Sequence, residues 1–374
     1  MAYEADITII GAGIVGLAIA AQLSGKGRDV YVLEKNKSHG LETSSRNSGV
    51  IHAGIYYPEG SLKARLCVDG NKLLYELCEK HAIPHKKIGK LIVASDDKET
   101  EKLHVLLDNG NKNGVTDLRL LSASEVKKLE PNIKAAAAIL SPSTGIIDVH
   151  AAMDCFCHKA KRNGAIIAYG SEVIGIEKAG GGYKITMRES GGNFSFTTRI
   201  LINCAGLDCD KIAGLEGIDV DKAGYRLHFS KGEYFWVGHG KNTMVSRLVY
   251  PVPPGAGGGL GVHVTLDLQG RMRLGPNAYY VDKIDYTVDP GHKRQFYESA
   301  ARFLPFIEYD DIEPDMAGIR PKIEGSQNDF RDFIIRHEHD KGLPGIINLI
   351  GIESPGLTAS PAIAKYVENI LDLE

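Results

Sequence analysis

Residues 6–10, Asp-Ile-Thr-Ile-Ile, form a short apolar run rich in β-branched side chains, which predicts a buried strand. Gly11-Ala-Gly13-Ile-Val-Gly16 follows; residues 14–26 then predict a helix, and residues 29–33 a second strand ending at Glu34. Beyond a more polar stretch at 85–144, residues 149–163 predict a helix stopped by Gly164, and 165–169 a strand. Residues 172–178, 183–188 and 193–198 alternate as a small antiparallel sheet, and the buried strand at 199–206 returns the chain to the first sheet. Alternating runs at 225–229, 233–237, 248–252, 260–266 and 272–274 predict a sheet with one buried face, followed by a helix at 291–303. Gly180–Gly182 and Gly257–Gly259 read as loops. The apolar strand at 345–351 leads through Ser354-Pro-Gly-Leu-Thr358 into a terminal helix to 371. This order predicts an α/β protein with a discontinuous Rossmann-like domain of residues 1–84, 145–224 and 318–374. A sheet-rich α+β domain of residues 85–144 and 225–317 completes it.

The first motif carries a specific chemistry. Gly11 permits a tight turn, Gly13 lets the backbone approach a pyrophosphate, and Gly16 lets the helix pack on the strand. The helix start offers unpaired N–H groups and a positive dipole end to phosphates. Glu34, eighteen residues after Gly16, is placed to accept ribose hydroxyls. A lone glycine pattern is a poor signal; strand, glycines, helix, second strand and terminal acid together are a good one.

Composition narrows the classes. The 374 residues suffice for two domains, and 44 basic against 47 acidic residues give a net charge of −3, which argues against a nucleic-acid partner. Six cysteines show neither CxxC spacing nor a His/Cys metal pattern, so no metal is expected. The first strand starts too near Met1 for a signal peptide, and no apolar run reaches the ~18 residues of a membrane span. The expected location is the cytoplasm, with contact at a membrane surface left open.

The glycine motif alone does not separate FAD from NAD. Two later features favour FAD. Thr43-Ser-Ser-Arg-Asn-Ser-Gly49 is a polar loop able to wrap a pyrophosphate and ribityl chain, and Gly351-Ile-Glu-Ser-Pro-Gly-Leu-Thr358 opens the last helix. A helix N-terminus at the pyrimidine edge of a flavin stabilises negative charge on the reduced ring.

With these motifs, the chain resembles the glycine oxidase and D-amino acid oxidase superfamily of FAD-dependent oxidoreductases. The run Ser44-Ser-Arg-Asn-Ser-Gly-Val-Ile-His-Ala-Gly-Ile-Tyr-Tyr57 is similar to the L-2-hydroxyglutarate dehydrogenase/oxidase branch. Lys231-Gly-Glu-Tyr-Phe235, Leu274-Gly-Pro-Asn-Ala278, Ala317-Gly-Ile-Arg-Pro-Lys322 and Gly351–Thr358 fit the same branch, across almost the whole chain. Pro361, near the start of the terminal helix, departs from the usual apolar residue. The resemblance implies noncovalent FAD held by Gly11, Gly13, Gly16 and Glu34, by Thr43, Ser44, Ser45, Asn47 and Ser48 along the flavin's polar spine, and by Val173 beside the adenine. It adds Ala205 and Gly206 at the pyrophosphate, and Gly356, Leu357 and Thr358 at the pyrimidine edge.

Oxidation of a 2-hydroxy acid needs a base near neutral pKa, a cation for the carboxylate and a wall that orients the C–H bond. His52, His263 and His228 are candidate bases; each could instead be a histidine bonded to backbone or surface. If Val262 and Val264 face the core, His263 faces the other side of its sheet. Arg320 is the candidate carboxylate clamp, with a domain-interface salt bridge as its alternative. Tyr56, Lys231, Tyr234 and Tyr250 are further polar candidates, and Glu353 is expected to turn from the flavin or pair with a cation. The expected small-molecule substrate is L-2-hydroxyglutarate, with oxygen or a quinone as electron acceptor. An amine or amino acid substrate is the alternative; glycerol 3-phosphate is disfavoured because no arginine cluster shows in the sequence. A nucleotide-binding redox sensor is the reading from another class.

Overall fold

The computed structural model describes residues 3–253, 261–323 and 330–372. The predicted loop at Gly257–Gly259, and Leu260 at the head of one predicted strand, lie outside them. Among the described residues, eight strands form the first sheet. Ala5–Ile10 lies at its centre, parallel to Val30–Glu34 on one side and to Gly192–Asn203 on the other. Ile166–Tyr169 and Ile346–Ile350 extend the parallel part outwards, and Ile334–His337 closes one edge antiparallel. Strands buried on both faces need covering layers. The helices Ile14–Leu23, Leu62–His81, Val149–Arg162 and Gly356–Asp372 supply one, packing Leu17, Ile19, Leu74, Phe156 and Ile363 against Ile7, Ile9 and Val32.

Two predicted strands, 193–198 and 199–206, are one: Gly192–Asn203 is continuous over twelve residues. Its first half pairs antiparallel with Gly182–Glu189 and its second half parallel with Ala5–Ile10, so the hairpin Glu172–Glu189 is an extension of the nucleotide sheet.

The second sheet is mixed and has nine strands among the described residues. Leu227–Val237, predicted as two strands, runs unbroken and pairs with Ile312–Ile323. That partner strand was not evident in the sequence, because Pro314 and Pro321 interrupt its pattern. The domain boundary drawn between 317 and 318 falls inside it, since Ala317–Ile323 stays hydrogen-bonded to Leu227–Glu233. The polar stretch 85–144 contributes Lys90–Ala94, Arg119–Ser122 and Ala137–Ser141 to the same sheet. A core of Leu91, Phe235, Leu248, Val264, Phe296 and Phe303 fills one face of it. At one end the opposite face packs Ile92 and Ile139 on Leu103 of the helix Asp97–Lys112, and elsewhere it lines a cavity shared with the first sheet's turn and helix starts.

Pro361 stands inside the terminal helix, which begins at Gly356. Proline removes the N–H that would have bonded the Leu357 carbonyl. The Ser360 hydroxyl donates to that carbonyl instead, at 2.9 Å.

Candidate active site

The nucleotide end of the cavity is built by close backbone approach. Gly11 has φ +103, and a Cβ there would lie 2.5 Å from the Cys204 carbonyl oxygen. A Cβ on Gly16 would lie 2.0 Å from the Gly11 oxygen, so the first helix rests directly on the turn. Glu34 fixes that turn: one carboxylate oxygen accepts the Ala12 N–H at 2.9 Å, and the other accepts the Asn36 backbone and side-chain N–H groups at 2.8 Å. Ile14, first in the helix, donates to Ser44 Oγ at 3.0 Å, which ties the helix start to the polar loop. Asn47 holds the loop by donating to the Ser44 carbonyl at 2.7 Å and accepting the Gly49 N–H at 2.8 Å. Thr43 Oγ1 donates to the Ile319 carbonyl at 3.0 Å and ties the loop to the second sheet.

The cavity has a volume of about 760 Å³ and runs from Gly13 and Gly16 past Thr43, Ser44, Asn47 and Ser48 to Gly356 and Leu357. An elongated nucleotide fits this shape, with a helix start at each end. Arg46 lines the cavity with its guanidinium 4.0 Å over the Tyr286 ring, and Arg46 Nε and Tyr286 Oη are both buried without a hydrogen-bond partner among the described residues. Buried donors of this kind ordinarily meet a ligand or water. These residues fit an FAD molecule, which the glycine turn, the polar loop and the start of the terminal helix would hold.

Opposite that helix stands a polar wall. Along Leu227–Val237, alternation brings Ser230, Gly232 and Tyr234 to the cavity and turns Lys231 and Glu233 away. Tyr234 Oη and Ser48 Oγ are 2.9 Å apart. Val262 and Val264 are buried in the second core while His263, 4 % exposed, lines the cavity. Its Nδ1 lies 2.7 Å from the Gly261 carbonyl, which can only accept; the proton therefore sits on Nδ1 and leaves Nε2 as acceptor. The Tyr250 ring stacks on His263 with centroids 3.8 Å apart. His52 reaches in from the far side, where its backbone N–H donates to Thr358 Oγ1 at 2.9 Å and its Nε2 lies 3.3 Å from Ser354 Oγ. Arg320 lines the cavity without a carboxylate partner among the described residues, its Nη2 packed so close to Gly232 that a Cβ there would be 2.9 Å away.

Electrostatics favour neutral imidazoles. Burial, then the positive charge of Lys90 and His263, lowers His52 to about 3. Burial, then Lys90 and Arg320, outweighs the Gly261 hydrogen bond and lowers His263 to about 3. Burial pushes the Glu353 carboxyl up, but Lys63, Lys322 and Arg320 together hold it below the usual carboxylate range. Glu353 pairs with Lys63 at 2.9 Å, as expected for a carboxylate beside the pyrimidine loop.

Some expected residues stand elsewhere. His228 is exposed, edge-on to Tyr280, because it precedes the part of its strand that faces the cavity. Lys231 is buried on the far face of the sheet and pairs with Asp285 at 3.0 Å. Thr358 spends its hydroxyl between the His52 N–H and the Val50 carbonyl at 3.3 Å, joining the terminal helix to the loop. Gly11, Glu34, Ser45, Val173 and Ala205 lie outside the cavity lining, whereas Tyr56 and Gly206 are part of it. Sequence reasoning passed over Tyr57, Arg331 and Lys90. Lys90 had a signal, a lone charge opening the apolar run Lys-Leu-Ile-Val-Ala. Arg46, Arg320 and Arg331 all line this cavity, a positive lining that the sequence pattern does not show.

Residues 6–370 match the family model DAO, FAD dependent oxidoreductase. The chain is 39% identical to the mitochondrial L-2-hydroxyglutarate dehydrogenase of Arabidopsis thaliana, covering 97% of this chain and 83% of that one. It is 33% identical to a glycerol 3-phosphate dehydrogenase of Caloramator mitchellensis, over 98% of this chain and 73% of the other. Among solved structures, the FAD-bound L-alpha-glycerophosphate oxidase of Mycoplasma pneumoniae superposes with a TM-score of 0.88 at 29% identity, covering 99% of this chain and 95% of that one. A glycine oxidase of Geobacillus kaustophilus superposes at 0.78 and 20% identity, covering 100% and 96%. No helix among the described residues is long and apolar enough to cross a membrane.

Proposed function

Because the chain belongs to the DAO family of FAD-dependent oxidoreductases, we propose that it oxidises L-2-hydroxyglutarate to 2-oxoglutarate. The observation that carries this reading is the convergence of His52, His263 and Arg320 on one cavity, in a chain 39% identical to an enzyme named for that substrate. Arg320 offers its planar fork to the carboxylate beside the hydroxyl. The hydroxyl lies between imidazole Nε2 atoms, and one of the two histidines accepts its proton. Tyr56, Tyr234 and Tyr250 wall the substrate and exclude water. Bound FAD supplies the two-electron acceptor for the hydride leaving carbon 2. An imidazole near pKa 3 is a poor base alone, but a dicarboxylate brings two negative charges into the site and raises it. The proton acceptor thus strengthens as substrate binds.

A second reading has its own observation. Three arginines, Arg46, Arg320 and Arg331, line the cavity, a positive lining that suits a phosphate dianion, and a relative at 33% identity is named for glycerol 3-phosphate. An amine substrate fits less well, since a cavity ringed by these arginines repels an ammonium group. The likeness to glycine oxidase, at 20% identity, is one of fold alone. Oxygen or a quinone as acceptor, and a cytoplasmic location with passing membrane contact in the quinone case, complete the proposal.

Anaerobic titration of the purified yellow protein separates these readings. L-2-Hydroxyglutarate is expected to bleach the 450 nm region at micromolar to millimolar concentration, and glycerol 3-phosphate and glycine to leave it unchanged. Bleaching by glycerol 3-phosphate alone overturns the substrate assignment. Re-oxidation with oxygen or with a soluble quinone then identifies the acceptor.

A further inference from the structure

Lys90 opens the strand Lys90–Ala94 and is 1 % exposed. Its ammonium has no carboxylate partner among the described residues. It lies instead over two tyrosine rings of the cavity wall, 4.5 Å from the centroid of Tyr56 and 4.9 Å from that of Tyr250. Tyr250 in turn stacks on His263. A buried, unpaired lysine is costly, and an apolar side chain of similar length would serve packing better. Cation–π contact with two rings offsets part of that cost and fixes the rings in return.

We propose that Lys90 is a positioning residue of this cavity: its ammonium clamps the Tyr56 and Tyr250 rings and, through the Tyr250 stack, holds His263 as a neutral imidazole with Nε2 free to accept a proton. The charged and titratable groups around the cluster are consistent with this. The helix Leu62–His81 presents Cys67, a neutral thiol whose pKa burial pushes upward. The loop after Val50–Ile51 presents His52 and Tyr56, and the strand Leu248–Pro251 presents Tyr250. Arg320, on Ile312–Ile323, adds a second positive charge toward His263. None of these groups carries a negative charge at neutral pH, so the field at His263 disfavours its protonation. Burial itself lowers the Lys90 ammonium to about 7. Its charge is therefore present over the acidic range in which an ordinary histidine would titrate.

This inference rests on the proposed hydroxy acid oxidation for its kinetic arm, and the experiment has a second arm that does not. Lys90→Met removes the charge and keeps the length; Lys90→Arg keeps the charge. In the holoprotein, histidine ring carbons labelled with carbon-13 are followed by NMR from pH 8 down to about pH 3, with His263 assigned by its loss in His263→Ala. In wild type the His263 signal is expected to hold the neutral position until the acid end of this range, where its midpoint lies. In Lys90→Met its midpoint moves up by about one pH unit, in Lys90→Arg it does not, and the acid limb of kcat/KM for L-2-hydroxyglutarate moves with it. A Lys90→Met midpoint unchanged from wild type, or an equal move in both variants, overturns the proposal. If wild type is not reduced by L-2-hydroxyglutarate, the substrate assignment fails and the NMR arm alone decides for Lys90. Lys90→Met is expected to melt no lower than wild type, so loss of fold does not mask the result.

Discussion

His263 and Lys90 show how a single side chain takes its role from its surroundings. Lys90 opens an apolar strand of the second sheet, His263 stands just before the strand Val264–Leu266, and both are almost fully buried. His263 was legible in part: it reaches the cavity as expected, but it precedes the strand that was expected to contain it, and a turn at Gly261, whose carbonyl meets Nδ1, sets the imidazole rather than strand alternation. Lys90 left only a lone charge at the head of an apolar run, and nothing local shows that Tyr56 and Tyr250, on other segments, will receive its ammonium. The same limit applied to Lys231, which alternation turned away from the cavity to Asp285. Replacing His52 or His263 by Ala is expected to lower kcat for L-2-hydroxyglutarate by about 100-fold or more for whichever accepts the proton, measured by stopped-flow reduction. Activity requires the neutral imidazole, so it falls as pH falls through the imidazole pKa. The kcat limb, which reports the substrate complex, is expected at higher pH than the kcat/KM limb, because the bound dicarboxylate raises that pKa.

At the scale of elements, the strand–turn–helix at the N-terminus was readable, except that the helix ends at Leu23 rather than at 26, because strand pattern, glycines and terminal acid agree with one another. Ile312–Ile323 was missed although it carries Arg320, for its prolines and mixed burial mask any alternation, and only pairing with Leu227–Val237 makes it a strand. The merged strand Gly192–Asn203 was split in the sequence because it changes partners half-way, not because its backbone breaks. The N-terminal turn also yields a sharp expectation. Gly16→Val places a side chain where a Cβ already lies 2.0 Å from the Gly11 oxygen, so the helix must lift from the turn. The variant is expected to purify with little or no flavin, seen as a loss of absorbance at 450 nm relative to 280 nm, and to melt at lower temperature.

Among the described residues the molecule is two large sheets, with a small three-stranded one, meeting at one cavity, and its stability rests partly on a polar knot behind the first sheet. Asn348 bridges Asn203, Glu216 and Glu338 there, with Nδ2 donating to Glu216 Oε2 at 2.7 Å and to Glu338 Oε1 at 3.2 Å. Burial, with Glu338 nearby, raises the Glu216 carboxyl from its ordinary value of 4.5 to about 8, against the opposing Asn348 hydrogen bond. The fold therefore holds a proton that the unfolded chain releases near pH 4.5. Stability from this proton is fully present below that pH and is lost as pH rises through about 8. Glu216→Gln is expected to flatten the decline in unfolding free energy between pH 5 and 8.5, by on the order of 3 kcal/mol, in urea titrations at the two pH values.

Gly318 sits beside Arg320 on the long strand, and a Cβ there would lie 2.1 Å from the Arg46 oxygen. Thr43 reaches the same strand through the Ile319 carbonyl. The arginine proposed to grip the substrate and the loop proposed to grip the cofactor are thus seated backbone against backbone, with no slack between them. Substrate recognition and cofactor retention become a single mechanical unit. Traffic of small molecules through the pocket would have to pass elsewhere on its rim while this seam stays shut, and a chain loosened at the seam would lose its prosthetic group along with its selectivity.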